Sequence, residues 1–166
     1  MYLSKLGYNF WDTTINLPPD FQQIVESELI TDNDCTALKK VVEGDSNPEF
    51  DNCFDKCSWE DFANHFHPDT FETPDEIEYL KLALECGKRL AIRFAKEFKG
   101  VNYRLSIAFS ETLIVNGEID FYASSTVRFH KVRPDCDHIM KNESLDSFKL
   151  EAVLEIETNP GEISSN

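Results

Sequence analysis

Hydrophobic positions along the chain change their period once, near residue 100. In "TPDEIEYLKLALECGKRLAIRFAKEFKG", Thr73–Gly100, the residues Ile77, Leu80, Leu84, Gly87, Ala91, Phe94 and Phe98 recur at alternating steps of three and four. That spacing lines one face of a helix. Thr73 is the expected N-cap, Pro74 suits the first helical position, Glu76 completes a capping box, and Gly100 is the expected C-terminal stop. Asp75, Glu76 and Glu78 lie where the helix dipole favours acids, and Arg93, Lys96 and Lys99 where it favours bases.

Beyond Gly100 the period falls to two. Val101, Tyr103, Leu105, Ile107 and Phe109 share one side of "VNYRLSIAF", and Ile119, Phe121, Ala123, Val127 and Phe129 one side of "EIDFYASSTVRFHKV". In "FKLEAVLEIE" the shared side carries Phe148, Leu150, Ala152, Leu154 and Ile156. Three such runs in succession predict an antiparallel meander of three or more strands, with one dry and one solvated face. Asn116-Gly117 marks a hairpin turn, yet a plain two-residue turn there sets Phe109 against Ser124 and Ile107 against Thr126. A one-residue slip reverses every side chain. A bulge or a wider loop is therefore expected within "SETLIVNGE", Ser110–Glu118.

The first 69 residues carry shorter signals. "PPDFQQIVESELI" predicts a helix starting near Pro19, with Phe21, Ile24, Val25 and Leu29 inward; "DCTALKKVVEG" predicts another from Asp34 to Glu43, ended by Gly44. "DSNPEFDNCFDKC" reads as a turn-rich loop, Ser58 with Asp61 resembles a capping box ahead of "WEDFANHF", and Pro68 is the expected stop. Helices first and strands after give an α+β fold class: N-terminal helices and one long helix over 73–100, packed on a C-terminal antiparallel sheet over 101–158. With no repeat and no linker, residues 1–166 read as a single domain whose tail, 159–166, is expected to fray.

Charge changes this picture more than composition does. The net charge is −15, distributed as 14 acids against 4 bases in residues 1–69, 6 against 6 in 70–100 and 11 against 6 in 101–166. A field of that sign repels nucleic acid and anionic membranes, whose phosphates are bound through Lys and Arg, and it attracts basic proteins. No apolar run approaches the ~20 residues that a membrane span requires. The opening "MYLSKLGYNFWDTT" lacks the parts of a secretory signal, so a cytoplasmic protein is expected. Five cysteines, an odd number, fit thiols kept reduced in that compartment.

Candidate chemistry concentrates in "CFDKCSWEDFANHFH", which places Cys53, Cys57, His65 and His67 within one short stretch. Zinc needs about four converging ligands, and on a helix His65 and His67 point to opposite faces. Phe54, Trp59, Phe62 and Phe66 favour a hydrophobic cluster in which the thiols act as small apolar groups. "HFHPD" resembles the start of a binuclear-metal signature, but Thr70 follows Asp69 where a further His is required. In "RPDCDHIM", Asp135 and Asp137 flank Cys136 and disfavour the thiolate that a Cys136–His138 pair would use. Neither a Gly-rich phosphate loop nor a GxSxG elbow occurs. The expectation is a protein that is not an enzyme and has no cofactor or metal.

What remains is surface. With the long helix on the dry face, the solvated face is expected to present Glu118, Asp120, Tyr122, Glu151 and Glu155, a Tyr anchor among steering carboxylates, to a basic protein. The segment "YRLSIAFSETLIVNGEIDFYASSTVRFHKVRPD", together with the preceding helix, resembles the small acidic immunity proteins that accompany toxins of contact-dependent growth inhibition in bacteria. That resemblance implies a cytoplasmic, monomeric antitoxin that binds a cognate toxin domain, commonly a basic nuclease, one to one. Immunity proteins share no signature, so the resemblance assigns no residue. Two alternatives stand beside it: an acidic secretion chaperone, and a small metal-dependent enzyme with His65, His67 and Asp69 lining a cleft.

Overall fold

The computed structural model of the chain describes residues 2–3, 12–44, 55–70, 75–134 and 151–158. The fold is α+β. Its main sheet is antiparallel and centres on β4 (Tyr103–Ser110), with β7 (Ser124–Lys131) on one side and β8 (Glu151–Glu157) on the other; β1 (Tyr2–Leu3) lies beyond β8. Along β4 the odd residues Tyr103, Leu105, Ile107 and Phe109 are buried, and the even residues are half-buried. The expected alternation is therefore present.

The long helix runs from Ile77 to Glu97 and covers the odd face, burying Leu80, Ala83, Leu84, Leu90 and Phe94 against Leu105, Ile107, Val127, Phe129 and Leu154. Each large apolar side chain withdrawn from water in this way contributes about 1.5–3 kcal/mol. Phe94 sits at the centre, its ring 4.8 Å from that of Phe129 and 4.9 Å from that of Tyr103. Gly87 permits the approach of helix to sheet, because a Cβ there would stand 2.1 Å from Ile107 Cδ1. The helix is shorter than expected: its C-cap is Phe98, and Gly100, at φ +84°, serves the turn into β4. Thr73 and Pro74 lie outside the described residues. Glu76 is itself the N-cap and makes no side-chain cap bond; its carboxylate turns instead to Thr112.

The hairpin register is offset as the polarity argument requires. Leu105 pairs with Phe129 and Ile107 with Val127. Beyond β4 the ladder breaks, and β5 (Leu113–Val115) with β6 (Glu118–Phe121) forms a separate two-stranded sheet. There Leu113 pairs with Phe121 but Ile114 with Ile119, so Asp120 is the bulged residue. The register shift, between Leu113 and Ile114, lies in the expected segment, while the extra residue, Asp120, falls two positions beyond it; the expected burial of Ile119 and Phe121 does not hold, since all of β6 is exposed.

The strands do not follow chain order as in a meander: β8 pairs with β4, not with β7. The reason is that the outer edge of β7 is already occupied. Phe66 forms a backbone bridge with Val127, at 3.0 Å in both directions. Asp69 accepts from the Ser125 amide at 3.0 Å, Asn64 Nδ2 donates to the Phe129 carbonyl at 3.3 Å, and Glu60 accepts from the Lys131 amide at 2.8 Å. A further strand has nowhere to add on that side.

These capping residues come from a helix at Lys56–Ala63 and the segment after it. Its N-cap is Asp55, which accepts from the Ser58 amide at 2.7 Å, so the expected Ser58–Asp61 box is replaced. Asp61 faces the sheet, 3.2 Å from Arg128 Nη1 and 3.4 Å from His130 Nδ1. The helix ends at Ala63, before Pro68, which opens a short 3-10 turn at Pro68–Thr70.

Further upstream, a helix at Pro19–Val25 buries Phe21 and Val25 as expected, with Ile24 and Leu29 partly buried. The second expected helix is half strand. β2 (Leu29–Asp32) and β3 (Cys35–Leu38) form a hairpin around Asn33 and Asp34, both at positive φ, and only Lys39–Gly44 is helical. The loop over 45–54, the strand residues 148–150 and the tail over 159–166 lie outside the described residues.

Candidate protein-binding site

The β5–β6 hairpin is built by Asn116 and Gly117, at φ +53° and +85°, the left-handed pair that a tight two-residue turn needs. Its strands are apolar yet uncovered: Ile114 is 61% exposed, Ile119 50%, Phe121 62% and Tyr122 76%. Ile114 and Ile119 are cross-strand partners and share one face; Leu113, Val115 and Phe121 share the other. Glu111, Glu118 and Asp120 are also exposed. No Lys or Arg occurs between Arg104 and Arg128, so the hairpin is both apolar and acidic, as suits a basic protein surface.

A clamp fixes the base of the hairpin. The Glu76 carboxylate accepts from the Thr112 amide at 3.0 Å and from Thr112 Oγ1 at 2.6 Å, and Thr112 Oγ1 in turn accepts from the Ala123 amide at 3.0 Å. Both legs of the hairpin are thereby tied to the start of the long helix, so less conformational freedom remains to be lost on binding.

The five residues expected to form one sheet face do not lie together. Glu118, Asp120 and Tyr122 belong to the hairpin. Glu155 lies in β8 of the main sheet, opposite Ser106, and is half-buried. The Glu151 backbone pairs with Ser110, and its side chain lies outside the described residues. The even face of the main sheet is an internal charge network, not an acidic platform. Arg104 Nη2 donates to Glu157 Oε1 at 2.7 Å, and Arg128 and His130 meet Asp61. Burial pushes the Glu155 carboxyl up against the opposing pull of Arg104 and His130, and its Oε1 has no hydrogen-bond partner. Burial acts on Glu157 in the same sense, but bonds from Arg104 and Asn102 outweigh it and hold that carboxyl below its usual range.

In the described part of the Cys/His stretch the side chains make contacts within the fold. Cys57 is disulfide-bonded, which departs from the expectation of reduced thiols; Cys35 and Cys86 are free. Cys86 is deeply buried, and desolvation pushes its thiol up to about 12. The His65 and His67 rings lie edge to face at 4.4 Å, and His67 Nδ1 donates to the Ser125 carbonyl at 3.1 Å. His67 and Asp69 thus pin the start of β7. Among the described residues no group of three or more His, Cys, Asp and Glu converges as a metal site requires. Of the expected aromatic cluster, Phe66 joins the core while Phe62 is exposed. Cys53, Phe54, Cys136 and His138 lie outside the described residues.

Sequence reasoning missed Ile114 and placed Ile119 and Phe121 in the core. The signal that could have found them is the register argument itself, since residues beyond a bulge need not share the face of the residues before it.

Fold and site together define an α+β domain with one sealed sheet edge and one bare, acidic hairpin, and no helix among its described residues is long and apolar enough to cross a membrane. The chain belongs to the Uncharacterized protein PM0498 family, whose sequence profile matches residues 5–165. Searches of curated proteins and of solved structures returned no match.

Proposed function

We propose that this protein is an immunity protein: it binds a cognate, basic toxin domain in the cytoplasm, one to one, and neutralises it by covering a functional surface, without catalysis of its own. The observation that carries this reading is the β5–β6 hairpin, whose exposed Ile114, Ile119, Phe121 and Tyr122 stand among Glu111, Glu118 and Asp120. Aromatic and aliphatic anchors ringed by charge are the usual make-up of a high-affinity protein interface. Support also comes from the net charge of −15, which accelerates encounter with a positively charged partner and discourages self-association. The Cys57 disulfide speaks against a reducing compartment, and thiol titration of protein taken directly from cells tests that point.

The test uses the product of the adjacent reading frame, because immunity genes lie beside their toxins. Co-expression is expected to relieve growth inhibition by that product, and the purified pair to associate more slowly as salt rises, with screening over about 8–10 Å. An adjacent product that neither binds nor is neutralised would contradict the proposal, as would a stable homodimer, the state expected of a secretion chaperone.

A further inference from the structure

Two strand edges, that of β7 in the main sheet and that of β6 in the hairpin sheet, are treated differently. On β7 every outward group described above meets a partner from Glu60, Asn64, Phe66, His67 or Asp69. On β6, among the described residues, the only paired neighbour is β5. In a two-residue hairpin the pair next to the turn, here Val115 and Glu118, makes the inner bonds, so the backbone of Ile119 points outward. A two-stranded ribbon is marginal by itself, but the Glu76–Thr112–Ala123 clamp holds this one in place.

Resting on the binding reading above, we propose that the free edge of β6 receives an extended, basic segment of the partner as an added strand. The occupant follows from charge. A second copy of this chain would bring Glu118 and Asp120 against like charges, which destabilise a strand pair when directly opposed. A strand carrying Lys or Arg at those places reverses the sign. Main-chain bonds then give affinity, and Ile119 and Phe121 supply pocket contacts.

Hydrogen exchange on the full chain, alone and with the purified product of the adjacent reading frame, tests this directly. Within residues 118–121 it is the outward amide of Ile119 that is expected to slow by at least ~10-fold in the complex. Ile119→Pro, which deletes the outward amide, is expected to weaken binding at least ~10-fold more than Ile119→Ser, which keeps it. If the proline variant fails a circular-dichroism check of its fold, exchange in the wild type decides. Binding with no protection at Ile119 would overturn strand addition and leave side-chain docking. Absence of binding would overturn this inference together with the functional reading beneath it.

Discussion

The sealed edge of β7 and the bare hairpin of β5–β6 are separated in the chain by only Tyr122 and Ala123, yet they meet opposite physical demands. At β7, buried Glu60 at 0% exposure accepts from the amides of Thr36 and Lys131 and forms a two-pronged pair with Arg133 at 2.6 and 3.0 Å. Asn64 accepts from the Leu38 amide and donates to the carbonyls of Thr36 and Phe129. Polar side chains there do the work of a missing strand, and they also join the β2–β3 hairpin to the main sheet. At the hairpin no side chains among the described residues cover the edge in this way, and Ile114, Val115, Ile119 and Phe121 are exposed. An edge that must not pair is filled from within the chain; an edge left open is available to another one.

This comparison can be broken or sharpened by substitution. The largest expected effect is at Glu60→Ala, which strands the Arg133 guanidinium and removes the acceptor of two buried amides. Urea unfolding should reveal a loss of about 3–5 kcal/mol, whereas a loss under 1 kcal/mol would mean that the sealed edge contributes little. Asn64→Ala comes next, with an expected loss of about 2–3 kcal/mol from three unsatisfied backbone groups. The double variant Ile119→Ser with Phe121→Ser should alter the unfolding free energy by no more than about 1 kcal/mol, about 0.5 for each site, because half or more of each residue is already exposed; a larger loss of stability would make the hairpin part of the core.

The smallest effect concerns pH. The Glu155 carboxyl is raised in the folded state, so ionising it opposes folding; that penalty is absent below the unfolded carboxylate range and complete above the folded value. Glu155→Gln is therefore expected to raise the melting temperature slightly at pH 7 and to leave it unchanged near pH 3. Glu157 has the opposite sign: its stabilisation is present above the unfolded range and lost as pH falls through its lowered folded value. A Glu155→Gln gain that grew on acidification would contradict the assignment.

Legibility in the sequence followed the range over which the information acts. The long helix, the alternation in β4 and the helix at Pro19–Val25 were readable because each rests on a local period. The bulge near Asp120 was readable because the apolar positions of two strands could not share a face in simple register. The β2–β3 hairpin was missed because the turn at Asn33-Asp34 was overlooked beside a short apolar run that suits a helix equally well. The position of β8 could not be read at all, for it depends on Glu60, Asn64, Phe66 and Asp69 filling an edge far away in the chain. Charge and residue type single out Glu118, Asp120 and Tyr122 as candidates, but grouping them with Glu155 assumes one continuous sheet, whereas the hairpin and β8 belong to separate sheets.

The most direct measurement is titration calorimetry of the wild type and of the Ile119→Ser/Phe121→Ser variant against the purified product of the adjacent reading frame. The expected result is a dissociation constant raised at least ~10-fold in a variant that unfolds like the wild type. Equal affinity for the two proteins would contradict the claim that this hairpin is the binding surface.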